Sequence, residues 1–373
     1  MSDTSRVQWV QSVPLETDLA QPDLPHTLRV WLAMIDRAQR SIELAQFYVR
    51  APVGSDLDPV MEALSRAGQR GVKIRLLVSN ALKGEYESTL QRLQQIPGFV
   101  HRIFEMPGAG VGVLHAKYWI IDDEEVFMGS QNFDWRALQH IHETGWLISD
   151  VAVNRIFRRL FDWDWELMTP SENPAPYSDA SLTSQGEVPW ATFGNGEVVI
   201  SPPNLGPPGF RLALSALVEL IARSRQSLEI QLLQYSPLEQ VENVRPHRWD
   251  VLDQALRSAA ARGVRIQLMV SEWNRRQPDY AELQSLARVP GIEIRIPEIP
   301  VWSGGAIPYA RVIHTKMMIV DGHTTWLGTS NWSEDYFCSS RNVEVILQQS
   351  AAAEVGQRIY RTLWNSLLSH EVR

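Results

Sequence analysis

The chain carries one ten-residue pattern twice, and a chain that repeats itself in this way is constrained to fold as two like halves. Residues 113–122 read VLHAKYWIID and residues 312–321 read VIHTKMMIVD, so that His115, Lys117 and Asp122 recur at the same spacing as His314, Lys316 and Asp321. At average residue usage such a triplet should occur about once in 10^4 positions, so two copies in one chain are not coincidence. Both copies are runs of strand length rich in Val, Ile, Met or aromatics, and in an extended segment His and the Lys two residues on project to one face. After each Asp a turn leads to a return segment, VFMGSQNFDW or TWLGTSNWSEDYF. There Gly129, Ser130 and Asn132 match Gly328, Thr329 and Asn331 in their distance from the His. Each unit reads as strand, turn and strand carrying His, Lys and Asn together.

The duplication extends beyond these units. Helical periodicity over residues 28–40, 59–70 and 85–95 alternates with the strand-like stretches SIELAQFYV, GVKIRLLVSN and PGFVHRIFEM. In the second half, helical stretches at 212–223, 251–262 and 279–288 alternate with SLEIQLLQYSP, GVRIQLMVSEW and PGIEIRIPEI. Helices alternating with strands imply α/β architecture, two sandwich domains with mixed, mostly parallel sheets covered on both faces. The Pro-, Ser-, Asn- and Gly-rich stretch after residue 169 marks the boundary. The expected layout is a domain at 1–170, a linker at 171–196 and a domain at 197–373, with one site at a pseudo-twofold interface. Neither half should act alone, and because both motifs lie in one chain a monomer suffices.

Composition narrows the partners. A formal charge of −8 lacks the basic footprint of a protein that wraps duplex nucleic acid, while leaving room for a small basic cleft that takes one strand end. Cys338 is the single cysteine, so no intrachain disulfide is available. The N-terminal stretch lacks a basic segment followed by an apolar run, and no uncharged apolar stretch has the roughly 18 residues of a membrane span. The expectation is a cytoplasmic protein.

The chemistry follows from the residue types. Breaking a phosphodiester needs a nucleophile, a proton donor for the leaving oxygen, and positive charge at the non-bridging oxygens. Two imidazoles, one neutral and one protonated near neutral pH, supply the first two. Lys117, Lys316, Asn132 and Asn331 supply the clamp, and the scheme requires no metal or cofactor.

The paired His-x-Lys-x4-Asp motifs, each followed by Gly-Ser/Thr-x-Asn, resemble the phospholipase D superfamily over nearly the whole chain. GSQNFDWRAL, GTSNWSEDYF and ISPPNLGPPGF look most like the branch of the lysosomal phospholipases D three and four and the poxviral envelope relatives. That resemblance implies two-step chemistry through a phosphohistidine, with His115 as nucleophile and His314 as acid and then base. It further implies that Glu143 and Glu344 orient the imidazoles, that Asp122 and Asp321 are structural, and that the branch acts as a 5'-exonuclease on single strands. The relatives of that branch are lumenal and disulfide-bearing, a departure from this chain.

Other residues carry weaker signals. Ser130, Thr329 and Ser330 either line the phosphate or shape the turn. Tyr48, Trp119 and Tyr235 are candidate stacking aromatics for a strand end, Trp119 because it shares strand parity with Lys117. His140 and His142 lack partners at metal-ligand spacing and read as ordinary polar positions. Trp163 and Trp165 read as packing at a helix end. The GAGVG and WSGGAIPY loops either gate the site or connect strands. The substrate is a phosphodiester, either a phospholipid or the end of a single-stranded nucleic acid. The alternative is a catalytically silent scaffold, against which the intact motifs count.

Overall fold

The computed structural model describes residues 6–107, 112–169, 191–239 and 247–373. Each half is built on one mixed sheet. The first runs, edge to edge, Arg6–Ser12, Glu143–Ser149, Glu125–Gly129, Tyr118–Ile121, Ser41–Gln46, Lys73–Ser79 and Phe99–Phe104. The second repeats that order with Gly196–Ser201, Asn342–Gln348, Thr324–Gly328, Met317–Val320, Ser227–Leu232, Arg265–Val270 and Ile292–Pro297.

Parallel pairing in these two seven-strand series is confined to the last three strands of each, where helices supply the crossovers. The other pairs are antiparallel, because tight turns after Asp122 and Asp321 join the motif strand to its return strand as hairpins. The sheets are therefore mixed with a parallel minority, where alternation of helices and strands implied a parallel majority. Two edge strands had no sequence assignment. Arg6–Ser12 closes one edge of the first sheet against Glu143–Ser149, and Ser369–Glu371 pairs with Ile292–Pro297.

The helices of the repeat lie close to their expected places, at Thr27–Arg37, Asp58–Gln69 and Lys83–Gln94 in the first half and Ala213–Arg223, Val251–Ala261 and Asp279–Ala287 in the second. Thr27–Arg37 shows why: Val30, Trp31, Met34 and Ile35 recur on one face and are buried, and the His26 ring accepts the Leu28 N–H at its start.

Among the described residues three large apolar cores result, with a smaller cluster at the site. One belongs to the first half and one to the second. The third is shared, drawing Tyr118, Ile120, Met128 and Trp146 from the first sheet and Met317, Leu327, Val343 and Val345 from the second. Val151–Leu167 and Ser350–Trp364 add Phe157, Phe161, Tyr360 and Trp364 to it. Fully burying such a side chain contributes about 1.5–3 kcal/mol, so separating the halves would expose a core rather than a surface. Trp165 packs on Phe161 in that core, while Trp163 is exposed.

Of the expected linker, residues 171–190 lie outside the described residues. Ala191 and Phe193 are buried in the shared core, and Thr192–Phe193 forms a hairpin with Gly196–Ser201, so the second half begins before residue 197. Among the described residues no helix is long and apolar enough to cross a membrane.

Candidate active site

The two motif segments meet by pairing with each other's half. Leu114 bridges to Arg341 and Ile313 to His142, both in parallel sense. His115 N and Ala116 N donate to the Arg341 carbonyl at 2.8 and 3.0 Å, and His314 N donates to the His142 carbonyl at 2.9 Å. Arg341 is itself fixed, its buried guanidinium donating to Asp164 at 2.9 and 3.2 Å and to the Ser201 carbonyl at 2.7 Å. Behind each motif, the Asp side chain accepts three successive backbone N–H groups at the start of the central strand. Asp122 takes those of Gln39, Arg40 and Ser41, and Asp321 those of Arg225, Gln226 and Ser227.

His115, His314, Asn132 and Asn331 all line one cavity of about 380 Å³ between the halves. Lys117 and Lys316 are buried, and each Nζ donates to the carbonyl of the His two residues before it at 2.6 Å. An ammonium has three donors, so two remain on each Lys for a ligand. The side-chain oxygens of Asn132 and Asn331 have no protein partner.

The imidazoles have different partners. His314 Nδ1 lies 2.9 and 3.0 Å from the two Glu143 oxygens, whereas His115 Nδ1 lies 3.1 Å from Asn342 Oδ1. Burial first, then the charges of Lys117, Lys316 and His314, hold His115 well below the ordinary histidine value. Burial also lowers His314, with Glu143 opposing it. Lys117 is pushed well below its usual range by burial and by Lys316, and burial brings Lys316 down to about 7 against the pull of Glu143.

Several sequence-based candidates lie elsewhere. Glu344 does not reach an imidazole: it is buried beside Trp326, whose Nε1 donates to it at 2.6 Å, and burial raises it to about 7. The residue in its expected place is Asn342, which follows His314 by the same 28 residues that separate Glu143 from His115. That equal offset is legible in the sequence, although an amide stands there in place of a carboxylate.

Trp119 is fully buried, stacked on Trp31 at 4.6 Å in the core of the first half. It does share parity with Lys117, but two residues along a strand carry it about 7 Å deeper, beneath a helix rather than beside the cavity. Tyr235 is buried with its hydroxyl donating to Asp253 at 2.7 Å. Ser41 and Ser227 open equivalent strands, which makes Gln234 the counterpart of Tyr48 and turns Tyr235 to the opposite face. Tyr48 does line the cavity, its hydroxyl donating to Asp134 at 2.7 Å.

Ser130, Thr329 and Ser330 are buried behind the cavity wall. Ser130 Oγ lies 3.2 Å from both the carbonyl and the N–H of Thr144, and Thr329 donates to Asn342 Oδ1 at 2.9 Å. His142 contacts Gln231 at 3.1 Å, and His140 packs between Trp135 and Trp302. Most of GAGVG lies outside the described residues, at 108–111. WSGGAIPY, by contrast, delivers Tyr309 to the cavity mouth.

Four lining aromatics were not singled out in the sequence: Phe47 and Tyr336 beside His115, and Tyr309 and Trp273 at the mouth. Tyr309 is 71% exposed and sits with φ at 59°, an unusual conformation for a bulky residue. Its ring meets Trp273 edge-on at 6.3 Å, and Ile141, Leu233 and Val312 form an apolar patch with Trp273. Across the cavity, Arg50 faces Glu85 at 3.7 Å, and Arg136 pairs with Asp134.

A family model described as a cardiolipin synthase, phospholipase D-like domain matches the chain twice, over residues 31–165 and 217–364. The chain belongs to the phospholipase D superfamily. The 5'-3' exonuclease PLD3 of Rattus norvegicus is 30% identical over 407 aligned positions, covering 99% of this chain and 81% of the relative. Phospholipase D Z of Dictyostelium discoideum is 29% identical, covering 98% of this chain and 90% of the relative. The phosphatidylserine synthase of Haemophilus influenzae shares the fold with a TM-score of 0.63 at 12% identity, over 92% of this chain and 85% of that one. With both motif units intact on one cavity, this phospholipase D superfamily member is a phosphodiesterase.

Proposed function

We propose that the protein cleaves the terminal phosphodiester of a single-stranded nucleic acid through a covalent phosphohistidine. The observation that carries the strand-end reading is the cavity mouth, where Trp273 and Tyr309 form an aromatic corner beside both imidazoles. Base stacking on such platforms is worth about 1–3 kcal/mol per base, and it tolerates any sequence. The exonuclease relatives support the same reading.

In the first step His115 Nε2 attacks phosphorus and the bond to the leaving oxygen breaks, with His314 giving that oxygen its Nε2 proton. Glu143 opposite Nδ1 suits His314 to the acid role, since a carboxylate favours the imidazolium. In the second step water attacks phosphorus, His314 takes the water's proton, and the nitrogen–phosphorus electron pair returns to His115. Lys117, Lys316, Asn132 and Asn331 hold the non-bridging oxygens, where preorganised donors cost no rearrangement. Burial lowers Lys316 to about 7, and the negative charge of a bound phosphate favours its protonated form.

The test is an EDTA-treated assay on 5'-labelled single-stranded DNA and on phosphatidylcholine, with His115→Ala, His314→Ala and Trp273→Ala controls. DNA cleavage abolished by either His substitution and weakened by Trp273→Ala is the expected result. Choline release without DNA cleavage would replace the strand-end reading with a phospholipase. Turnover surviving both His substitutions would refute the mechanism.

A further inference from the structure

At one pair of equivalent positions the halves differ in what faces the imidazole: the first half has Glu143, against His314, and the second has Asn342, against His115. We propose that Asn342 is a positioning residue that decides which imidazole attacks, by holding the proton of the neutral His115 ring on Nδ1 and leaving Nε2 free. This deepens the two-step reading above and rests on it.

Asn342 is fully buried, and the orientation of its amide follows from its other contacts. The Tyr336 carbonyl lies 2.8 Å from Nδ2, with the Ser340 carbonyl and Ser201 hydroxyl at 3.4 Å. A carbonyl only accepts, so the NH2 group must face it and Oδ1 must face His115. The Thr329 hydroxyl reinforces this arrangement, accepting the Val343 N–H at 3.2 Å and donating to Asn342 Oδ1 at 2.9 Å. Oδ1 can only accept, so the contact of 3.1 Å to Nδ1 requires the ring proton there. The Nε2 lone pair is then left for phosphorus.

Asn342 Oδ1 fixes which nitrogen holds the proton, and by itself it pulls His115 slightly upward; burial first, then the charges facing the ring, keep it neutral. Lys117, Lys316 and His314 all disfavour a second proton on the ring, and Glu143 pairs with His314 rather than with His115. The rings of Phe47 and Tyr336 flank the imidazole at 5.0 and 4.8 Å and bring no carboxylate. After attack, the phosphorylated ring keeps its Nδ1 proton and carries positive charge with only an amide dipole opposite. Such a ring leaves phosphorus readily when water attacks, so the intermediate should be short-lived. A carboxylate at position 342 would stabilise both the protonated free ring and the cationic intermediate.

The probe is bis(p-nitrophenyl) phosphate, followed across pH and by rapid quench into alkaline denaturant with intact-mass analysis. Asn342→Asp should move the acidic limb of kcat/KM upward by about one to three pH units, the usual effect of an opposite charge, and should make the phosphoryl-enzyme accumulate. An unmoved limb with no accumulation in a folded Asn342→Asp protein would overturn the proposal. A second measurement needs no substitution at position 342. Long-range 15N–1H spectra of the wild type, with His115→Ala to assign the ring, should show neutral His115 protonated at Nδ1 at pH 6.5. An Nε2-protonated ring or an imidazolium would overturn the proposal even if the variant does not fold. A wild type inert towards every diester would sink the two-step reading instead, while the spectra still report on Asn342.

Discussion

Lys316 should make the protein less stable than it would be with an apolar residue in its place, and the cost should depend on pH in a calculable way. Its ammonium is buried, and burial takes its pKa from 10.5 to about 7. At 1.36 kcal/mol per unit, that displacement corresponds to a cost on the order of 5 kcal/mol when both folded and unfolded chains carry the proton. Because the folded value lies below the unfolded one, the full cost applies below pH 7. Between pH 7 and 10.5 the unfolded chain holds the extra proton, so stability rises with pH.

Lys316→Met keeps the apolar stem and removes the charge. It also removes the hydrogen bond to the His314 carbonyl, an offset of about 1 kcal/mol. Thermal melts at pH 6 should therefore place the variant several degrees above wild type, with the gap narrowing towards pH 10 and with activity abolished. Inorganic phosphate should raise the wild-type Tm more than the variant's. A variant that melts below wild type at pH 6, or a gap that does not change with pH, would refute the reasoning.

Three further outcomes follow from the same geometry. Glu143→Gln removes the carboxylate that holds His314 as an acid, so cleavage should fall by about 10^2–10^4-fold for an alkoxide leaving group and far less for p-nitrophenolate, as paired kcat/KM measurements would show. In wild type, the alkaline decline of kcat/KM should begin as His314, whose imidazolium burial disfavours, loses its proton, with Lys316 following near pH 7, and the acidic limb should lie below the usual histidine value because His115 is depressed. Asp164→Ala should leave the Arg341 guanidinium buried without its partner, costing about 3–5 kcal/mol in denaturant unfolding, and it should also loosen the backbone contact that holds His115.

The duplication, the central units and the His, Lys and Asn they carry are legible in the sequence alone. Two His-x-Lys-x4-Asp runs at matched distances from Gly and Asn leave little freedom, because a strand, a tight turn and a return strand fix which side chains share an end. The Asp at the end of each unit is legible in the same way, but its partners are not local: Asp122 accepts from Gln39, Arg40 and Ser41 at the start of the neighbouring strand. The helices of the repeat were legible because periodic burial is a property of one segment.

What required the tertiary structure was everything that depends on depth or on the opposite half. Parity placed Trp119 on the face of Lys117 but could not say that the strand had by then run beneath Trp31. A one-residue difference in register sent Tyr235 into the core while Tyr48 stayed at the cavity. Trp273 and Tyr309 both lie in the second half, on a short 3-10 turn and a long loop whose meeting no periodicity in either segment encodes. Glu143 lies in the first half yet contacts the imidazole of the second, and Asn342 does the reverse. The physical reason is that hydrogen-bond partners across a domain interface are chosen by rigid-body packing, which leaves no periodicity in either strand.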